Sequence, residues 1–499
     1  MPSHLKRGDS HRAEGNETTP LLTTIEPTPI TEPVKPSQLA RDNDESIPEQ
    51  DEQVSEEEVP LPKAQIILLC FTSIVDPVAF FGVFPYINFM IEKVGNVEKE
   101  EVGFYSGLIE SLFSLTQMCV MISWGRASDR WGRKPVLVIS LIGIAIAMAL
   151  FGMSQSLWQM IVARCFAGVF AGTVVTIRAM LSENSTKQTQ ARAFSYFAFA
   201  RNLGILIGPL LGGALESPAV KYPSFFGKFQ FFHDFPYALP GFATAIVALS
   251  AALTTTLFAK ETLHTHRDDA NQNEPPMSTW KLLKYPGVAR VIMIYNYVSM
   301  LAFTYTAVNP VFMYTPIRLG GIGFTAEMIA AFFALAGASQ ATWLLLVFPR
   351  LHKRVGTGQI LLYCACVWPI FFASSVAFNF LRRQHLEAVF WTAAPITLVL
   401  GSGVAMAFTA VQLAVNDIAP SYETLGTLNA IVLAGQSGLR AVSPALATSI
   451  YAIGVKYHIL GGHLFWLISV ILAIGLLGLL RLLPEKAAGK PQRLQNGRA

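Results

Sequence analysis

Twelve apolar segments, separated by shorter polar stretches, run through most of the 499 residues of the chain. They lie at 64–91, 103–124, 135–153, 158–180, 194–214, 238–258, 287–308, 327–348, 359–378, 388–411, 425–453 and 463–482. Each is long enough to cross about 30 Å of hydrocarbon as a helix that rises about 1.5 Å per residue. The pattern therefore predicts an all-α membrane protein with twelve transmembrane helices.

A polar stretch in the middle of the chain divides the apolar segments into two groups of six. We predict a disordered acidic tail at 1–62, a six-helix half at 63–258, a linker at 259–285, a second six-helix half at 286–483 and a tail at 484–499. The composition agrees, since 52% of the residues are hydrophobic and 14% are charged, against about a quarter charged in soluble domains. No cleavable signal peptide is predicted, because the first 60 residues are polar.

The charges of the loops predict the orientation. The loops after the second, fourth and eighth segments and the tail after Arg481 are basic, whereas the loop after the first segment holds three glutamates between residues 98 and 101. Because basic loops stay on the cytoplasmic side, both termini and the linker are predicted to be cytoplasmic. Arg382 and Arg383, after the ninth segment, do not fit this rule.

The loop after the second segment, residues 125–134, reads G-R-A-S-D-R-W-G-R-K. Its four cations and one carboxylate cannot lie in hydrocarbon, so we predict a tight loop at the membrane surface. The spacing resembles, at every defined position, the loop between helices 2 and 3 of the major facilitator superfamily. The second half weakly repeats it at 348–356, with the basic residues and the final glycine but without the aspartate.

This resemblance implies two six-helix halves that rock about a central site. It also implies a cytoplasmic latch, in which Asp129 docks onto the start of helix 11 while Arg130 and Arg133 join a charge network. The predicted latch residues are Gly125, Asp129, Arg130, Gly132, Arg133 and Lys134.

Charged groups inside the apolar segments are costly and are therefore candidates for function. Asp76 lies near the middle of the first segment, before Pro77, which can bend the helix. Arg164 begins the stretch R-C-F-A-G, which resembles a helix 4 signature in which a buried arginine serves the proton site. Asp76 and Arg164 lie at similar depths along their helices, so we expect them to pair. The predicted proton-coupling residues are Asp76, Arg164 and Glu110; the alternative is that such charges merely neutralise one another.

The fifth segment contains G-I-L-I-G-P-L-L-G-G at 204–213, which resembles a helix 5 signature of proton-coupled export carriers. Its glycines recur every fourth residue and allow close packing against a partner helix, and its proline can kink the helix. The residues of this signature are Gly204, Gly208, Pro209, Gly212 and Gly213. Further stretches at 416–417, 425–429 and 440–444 resemble the fungal and plant branch near the zinc-induced facilitator-like carriers.

The resemblance covers residues 62–483 and implies a secondary active transporter, a proton-coupled antiporter that exports small organic molecules. A proton-coupled nutrient importer or uniporter and a transporter-like receptor are the alternatives, whereas no catalytic constellation points to an enzyme. Polarity suggests a substrate cavity lined by Arg201, Asn202, Tyr295, Asn296, Tyr305, Gln340, Gln412 and Arg440.

The remaining predictions concern partners and location. We expect a monomer in the lipid bilayer that handles a small-molecule substrate and protons, with no nucleic acid, cofactor or metal. His264 and His266, in the linker, are expected to be solvated. Glu17, Leu21 and Leu22 resemble an acidic dileucine sorting signal, so the plasma membrane and the vacuolar membrane are both candidate locations.

Overall fold

The computed structural model describes residues 62–185, 189–263, 279–420 and 422–489. The predicted sorting signal, His264, His266 and most of the two tails lie outside these ranges. Within them, ten helices are long and apolar enough to cross a membrane, and one of these, Ala326–Arg383, is long enough for two crossings. With the shorter helix Leu464–Leu480 the described residues form twelve spans, which confirms the predicted fold class.

The first six spans follow the predicted segments closely. In chain order they are Lys63–Ser73 with Val75–Phe81 and Ile87–Gly95, then Val102–Trp131, Arg133–Gly152, Leu157–Phe170 with Thr173–Glu183, Gln190–Leu215, and Ala238–Phe258. Three short helices, Pro218–Lys221, Pro223–Phe226 and Gln230–Asp234, connect the fifth and sixth spans.

Most of the second six spans are longer than the apolar segments that predicted them, although the twelfth is shorter. The seventh is Val288–Tyr314; the eighth starts as Ala326–Thr342 and runs through a π-helical turn, Trp343–Val347, into Phe348–Arg383, which also supplies the ninth. The tenth is Glu387–Gly401 with Met406–Ile418, the eleventh Tyr422–Lys456 and the twelfth Leu464–Leu480. A short helix, Thr279–Lys284, precedes the seventh span, and another, Glu485–Ala488, opens the predicted tail.

The predicted loop at 125–134 is wrong in one respect, because the second helix continues through it to Trp131. The chain turns at Gly132 alone (φ 103°, ψ 154°), and the third span starts at Arg133. Charged residues can extend a helix beyond the hydrocarbon, where water and neighbouring side chains satisfy them. We refer to the end of the bundle that contains Gly132 as the basic end.

At the opposite end the two halves pack together through the second and eleventh spans. Gly107 lies against Thr448, and Ser111 Oγ accepts the backbone N–H of Ala445 at 2.9 Å. Polar bridges between the halves close the same end: Lys456 to Glu101 at 2.7 Å, Lys221 to Glu327 at 3.0 Å, and the hydroxyl of Tyr314 to Glu92.

Towards the basic end the described residues leave free space beside these two spans. Gly438 lies two turns before Ala445, and Gly125 about four turns after Ser111, each on the helix face that continues the contact. Among the described residues, no atom comes within 4 Å of the position that a Cβ would take on either glycine. We call the end around Gly107 the closed end and the basic end, with this free space, the open end.

The two arginines that break the charge rule have local partners at the closed end. Arg382 forms an ion pair with Glu387 at 2.5 Å. Arg383 donates hydrogen bonds to the backbone carbonyl oxygens of Ile317, Arg318 and Gly461. Through these bonds the two arginines hold loops of the second half in place. The bonds also offset the cost of placing two cations at the closed end.

Candidate functional site

The first span is interrupted just before its buried carboxylate. One helix ends at Ser73 and the next starts at Val75, with Asp76 and Pro77 in its first turn. Pro77 has no N–H to bond to the preceding turn, which favours a break at this point. Asp76 is 9% exposed, so its carboxylate lies in the interior of the bundle but within reach of the central space.

The glycines of the fifth span pack against this interrupted segment. A Cβ on Gly204 would stand 2.5 Å from Pro77 Cγ, and one on Gly208 would stand 3.0 Å from the backbone nitrogen of Gly82. Gly212 lies against the carbonyl of Gly82 in the same way. The glycine face predicted for the fifth span therefore packs against the first span, and only glycine permits the two helices to approach this closely.

This packing gives Asp76 a different partner from the one predicted. Arg201, one turn before Gly204, reaches Asp76 with Nη1 at 3.5 Å from Oδ2. The expected pair with Arg164 is wrong, because equal depth in the membrane does not make two side chains neighbours. The packing explains the pair, since Gly204, one turn after Arg201, lies against Pro77, which follows Asp76.

Arg164 instead lies in a pocket of aromatic rings. It is 1% exposed, and its guanidinium carbon is 5.1 Å from the ring centre of Phe113 and 5.3 Å from that of Phe151. Its three side-chain nitrogens make no hydrogen bond to any described residue. Gly168, one turn further on, lets the fourth span approach Phe113 and Thr116 of the second.

Glu110 lies between two arginines. It is 6% exposed and interacts electrostatically with Arg440 and with Arg164. The guanidinium of Arg440 lies over the ring of Phe80, 4.3 Å from its centre, and is within electrostatic range of Asp76 as well. Asp76, Glu110, Arg164, Arg201 and Arg440, from five different spans, thus form one charged cluster. Asp76, Glu110 and Arg164 are buried in it, whereas Arg201 and Arg440 are partly exposed.

An aromatic cavity of about 230 Å³ lies beside this cluster, mainly in the second half. Phe81 and Ile205 contribute from the first half. The ring of Phe81 lies 5.0 Å from that of Phe80, and Ile205 follows Arg201 by one turn on the same helix face. Its apolar wall includes Tyr305, Phe324, Phe332, Trp368, Phe371 and Phe390. Its polar groups include Asn309, Gln340 and Ser375. Such a cavity suits a flat apolar molecule that carries a few hydrogen-bonding groups.

The other predicted cavity residues lie in different places. Tyr295 is buried and interacts with Arg178, which also faces Arg201. Asn296 lines a separate, more open cavity on the seventh span, and Gln412 donates a hydrogen bond to Asn429 Oδ1 at 2.7 Å. Asn202 is partly exposed beside Arg201. Of the eight candidates, Tyr305 and Gln340 line the aromatic cavity. Arg201 precedes the wall residue Ile205 by one turn, and Arg440 lies over Phe80, next to the wall residue Phe81.

At the basic end Arg133 is the centre of the predicted latch. It binds Asp129 at 2.6 Å, Glu183 at 2.9 Å and Ser128 at 3.1 Å. The carboxylate of Glu183 also accepts the hydroxyl proton of Thr262 at 2.5 Å. These contacts all lie within the first half. Most side chains at the start of the eleventh span lie outside the described part of the chain, so docking of Asp129 there stays a prediction.

Glu261, which sequence reasoning missed, caps the third span. Its carboxylate accepts the backbone N–H groups of Arg133 and Lys134 at 2.8 and 3.1 Å. Burial opposes the charged form, but these two donors and the N–H groups of Thr262 and Leu263 outweigh it and lower the pKa of Glu261. An anion at a helix N-terminus is also favoured by the helix dipole.

Comparison with known proteins agrees with this geometry. A family model described as Major Facilitator Superfamily matches residues 69–423. The chain is 48% identical to the efflux pump azaK of Aspergillus niger over 86% of its own length and 90% of the pump. It is 28% identical to the protein zinc induced facilitator-like 1 of Arabidopsis thaliana over 82% of its length and 88% of that protein. The predicted family and branch are thereby confirmed.

A solved structure supports the fold. The chain resembles a bacterial homologue of the human lysosomal transporter Spinster in an inward-facing and occupied conformation, with a TM-score of 0.64 and 13% identity. The similarity covers 87% of this chain and 99% of that one. At this identity the likeness shows the arrangement of the helices and nothing about the substrate.

Proposed function

The chain belongs to the Major Facilitator Superfamily, and from that premise we propose that it is a proton-coupled antiporter that exports small organic molecules by alternating access. It is an integral, multi-pass membrane protein and a transporter rather than an enzyme. The names of its relatives support export, because they include an efflux pump and a multidrug transporter of Aspergillus fumigatus.

The observation that carries the proposal is the Asp76–Arg201 pair at the break of the first span. Carboxylates inside membrane spans are typical of proton relays in pumps and transporters. Protonation of Asp76 removes the attraction that holds Arg201, whose side chain is 28% exposed. The first and fifth spans touch through glycines at this point, so a small change in the pair alters how the two helices pack.

The closed and open ends supply the second part of the cycle. With the basic end cytoplasmic, the structure corresponds to the state that takes up substrate from the cell interior. Separation of the second and eleventh spans near Gly107, together with closure around Gly125 and Gly438, would expose the same cavity to the other side. Arg133, with Asp129 and Glu183, holds the basic ends of the second, third and fourth spans together, so the first half moves as a unit.

Transport driven by an imposed pH gradient tests the proposal. We expect Asp76→Asn to insert and fold as wild type but to lose accumulation of substrate against its gradient. Asp234→Asn is the matched control, since it makes the same chemical change at an exposed position, the end of the short helix Gln230–Asp234. Wild-type accumulation by the Asp76 variant would place the coupling site elsewhere, with Glu110 the next candidate.

Orientation is tested by cysteine labelling with an impermeant reagent on sealed cells. Ser128 is fully buried against Arg133, so exposed Arg126 is the better position for the probe. An Arg126→Cys variant in a cysteine-free background should react only after permeabilisation if the carrier lies in the plasma membrane. Reaction in intact cells would reverse the predicted topology.

The membrane in which the carrier resides and its oligomeric state belong to the same proposal. We propose a monomer in the plasma or vacuolar membrane, with Glu17, Leu21 and Leu22 as the vacuolar signal. A fluorescent fusion that shifts from the vacuolar to the plasma membrane when Leu21 and Leu22 are changed to alanine supports the signal. An unchanged vacuolar location contradicts it.

A further inference from the structure

The charges of the central cluster do not balance. Three arginines, Arg164, Arg201 and Arg440, interact with two carboxylates, Asp76 and Glu110. Even with both carboxylates ionised, one positive charge remains. An uncompensated charge in a low-dielectric interior is costly and is normally neutralised by a partner.

Two of these arginines, Arg164 and Arg440, form no direct ion pair with a carboxylate of the described residues. Arg164 is 1% exposed and makes no hydrogen bond through any of its side-chain nitrogens to a described residue. Arg440 forms no ion pair with a described residue, and its guanidinium lies over the ring of Phe80 instead. A guanidinium presents five N–H donors and favours planar, bidentate anions such as carboxylates.

Arg440, without an ion pair to any described residue, lies one aromatic ring away from the cavity wall. Arg440 covers Phe80, and the next residue, Phe81, forms part of the cavity wall. Arg201 precedes Ile205, another wall residue, by one helical turn. A molecule whose ring system fills the cavity would therefore direct an acidic group at the cavity edge towards Arg440.

We propose that the substrate class is an aromatic organic acid, bound as its anion with the carboxylate or acidic enolate on Arg440 and the ring system in the aromatic cavity. This inference rests on the proposed transport function and names what that site takes. Organic cations are excluded, since the same excess of positive charge repels them. The anion occupies Arg440, so Asp76 keeps Arg201 as its partner until it is protonated.

Matched probes on the purified full-length protein in nanodiscs test this class. The probes are naphthalene-2-carboxylate, biphenyl-4-carboxylate and coumarin-3-carboxylate, each compared with its methyl ester, and 2-naphthylmethylammonium as the cation. Binding is followed by the fluorescence of the protein, since Trp368 lines the cavity. No pH gradient is applied, so the measurement does not depend on proton coupling.

We expect at least one carboxylate to bind about tenfold or more tightly than its ester, as a charged hydrogen bond replaces a neutral one. The ammonium should bind weakest. Equal or tighter binding of the esters or of the ammonium overturns the proposal, and so does failure of all three carboxylates to bind. Arg440→Gln should remove most of the preference for the acid, and Arg440→Lys should retain part of it.

Lys284→Gln is the matched control, because it also removes a cation that lies over an aromatic ring, here Trp280, but outside the cavity. It should leave the preference unchanged; a loss as large as that of Arg440→Gln overturns the assignment to Arg440.

A carboxylate that binds but is not exported under a pH gradient contradicts the antiporter while the substrate class stands. Export of the esters without binding of the acids overturns the substrate class while the antiporter stands.

Discussion

Gly132 and Gly356 occupy equivalent places in the two halves, and each is the sole non-helical residue between two membrane helices. Their dihedral angles are φ 103°, ψ 154° and φ 80°, ψ 174°. Each also lies against a segment that follows the last span of its own half, since Gly132 contacts Glu261 and Gly356 contacts the carbonyl of Gly489. The weak repeat between 125–134 and 348–356 is thus a structural repeat at the level of the backbone turn.

Gly132→Ala should destabilise the first half. Positive φ with extended ψ is a region that other residues enter only at a cost of about 1–3 kcal/mol. In addition, the new Cβ would stand 2.6 Å from Glu261 Oε2. We expect a lower melting temperature in detergent. Gly125→Ala, a substitution inside the same motif with open space around it, should leave the melting temperature unchanged or raise it. Equal effects of the two substitutions would contradict the role of the turn.

Glu261→Gln should weaken the cap of the third span, and the effect should depend on pH. The pKa of Glu261 in the folded state lies below its unfolded value of about 4.3. Its contribution is therefore fully present above that unfolded pKa and is lost as the pH falls through the folded pKa. The wild-type melting temperature should exceed that of the variant by a constant amount between about pH 5 and pH 8, and the difference should shrink in more acidic buffer. A difference that grows on acidification would contradict this.

Hydrophobic patterning was sufficient to predict the twelve spans and the division into halves, because every span must be apolar whatever it packs against. The same patterning placed Asp76 and Arg164 at similar depths but could not say which spans are neighbours. Glu183 and Glu261 could not be connected to Arg133, since their contacts join loops far apart in sequence. Of the residues that line the aromatic cavity, only Tyr305 and Gln340 were predicted, because an aromatic residue in a membrane helix can face lipid as well as a cavity.

Gly107→Leu should hold the two halves apart at the end opposite Gly132. A Cβ at this position would stand 2.7 Å from the carbonyl oxygen of Pro444 and would overlap Thr448, so the second and eleventh spans could not pack as they do. Spin labels on Glu98 and Tyr457, both exposed at that end, report the separation in a cysteine-free background. We expect a longer distance distribution than in the wild type.

Gly125→Leu is the control for this experiment, since the added side chain enters open space when the basic end is open. It should leave the Glu98–Tyr457 distance unchanged or bias it towards the short population, because it hinders closure of the basic end. A lengthening as great as that of Gly107→Leu would show that the distance reports general destabilisation rather than the contact between these spans.

Arg201→Gln should move the pH profile of transport more than Arg164→Gln does. Arg201 Nη1 lies 3.5 Å from Asp76 Oδ2, whereas Arg164 lies between the rings of Phe113 and Phe151 beside Glu110. Removing an adjacent cation makes a carboxylate bind a proton more readily, so the half-maximal point for the Arg201 variant should shift to higher pH. Arg201→Lys, which keeps the charge, should restore most of the wild-type profile. Uptake into inside-out vesicles over a range of pH measures each profile. A larger shift in the Arg164 variant would indicate that Arg164, on the fourth span, is the coupling partner of Asp76.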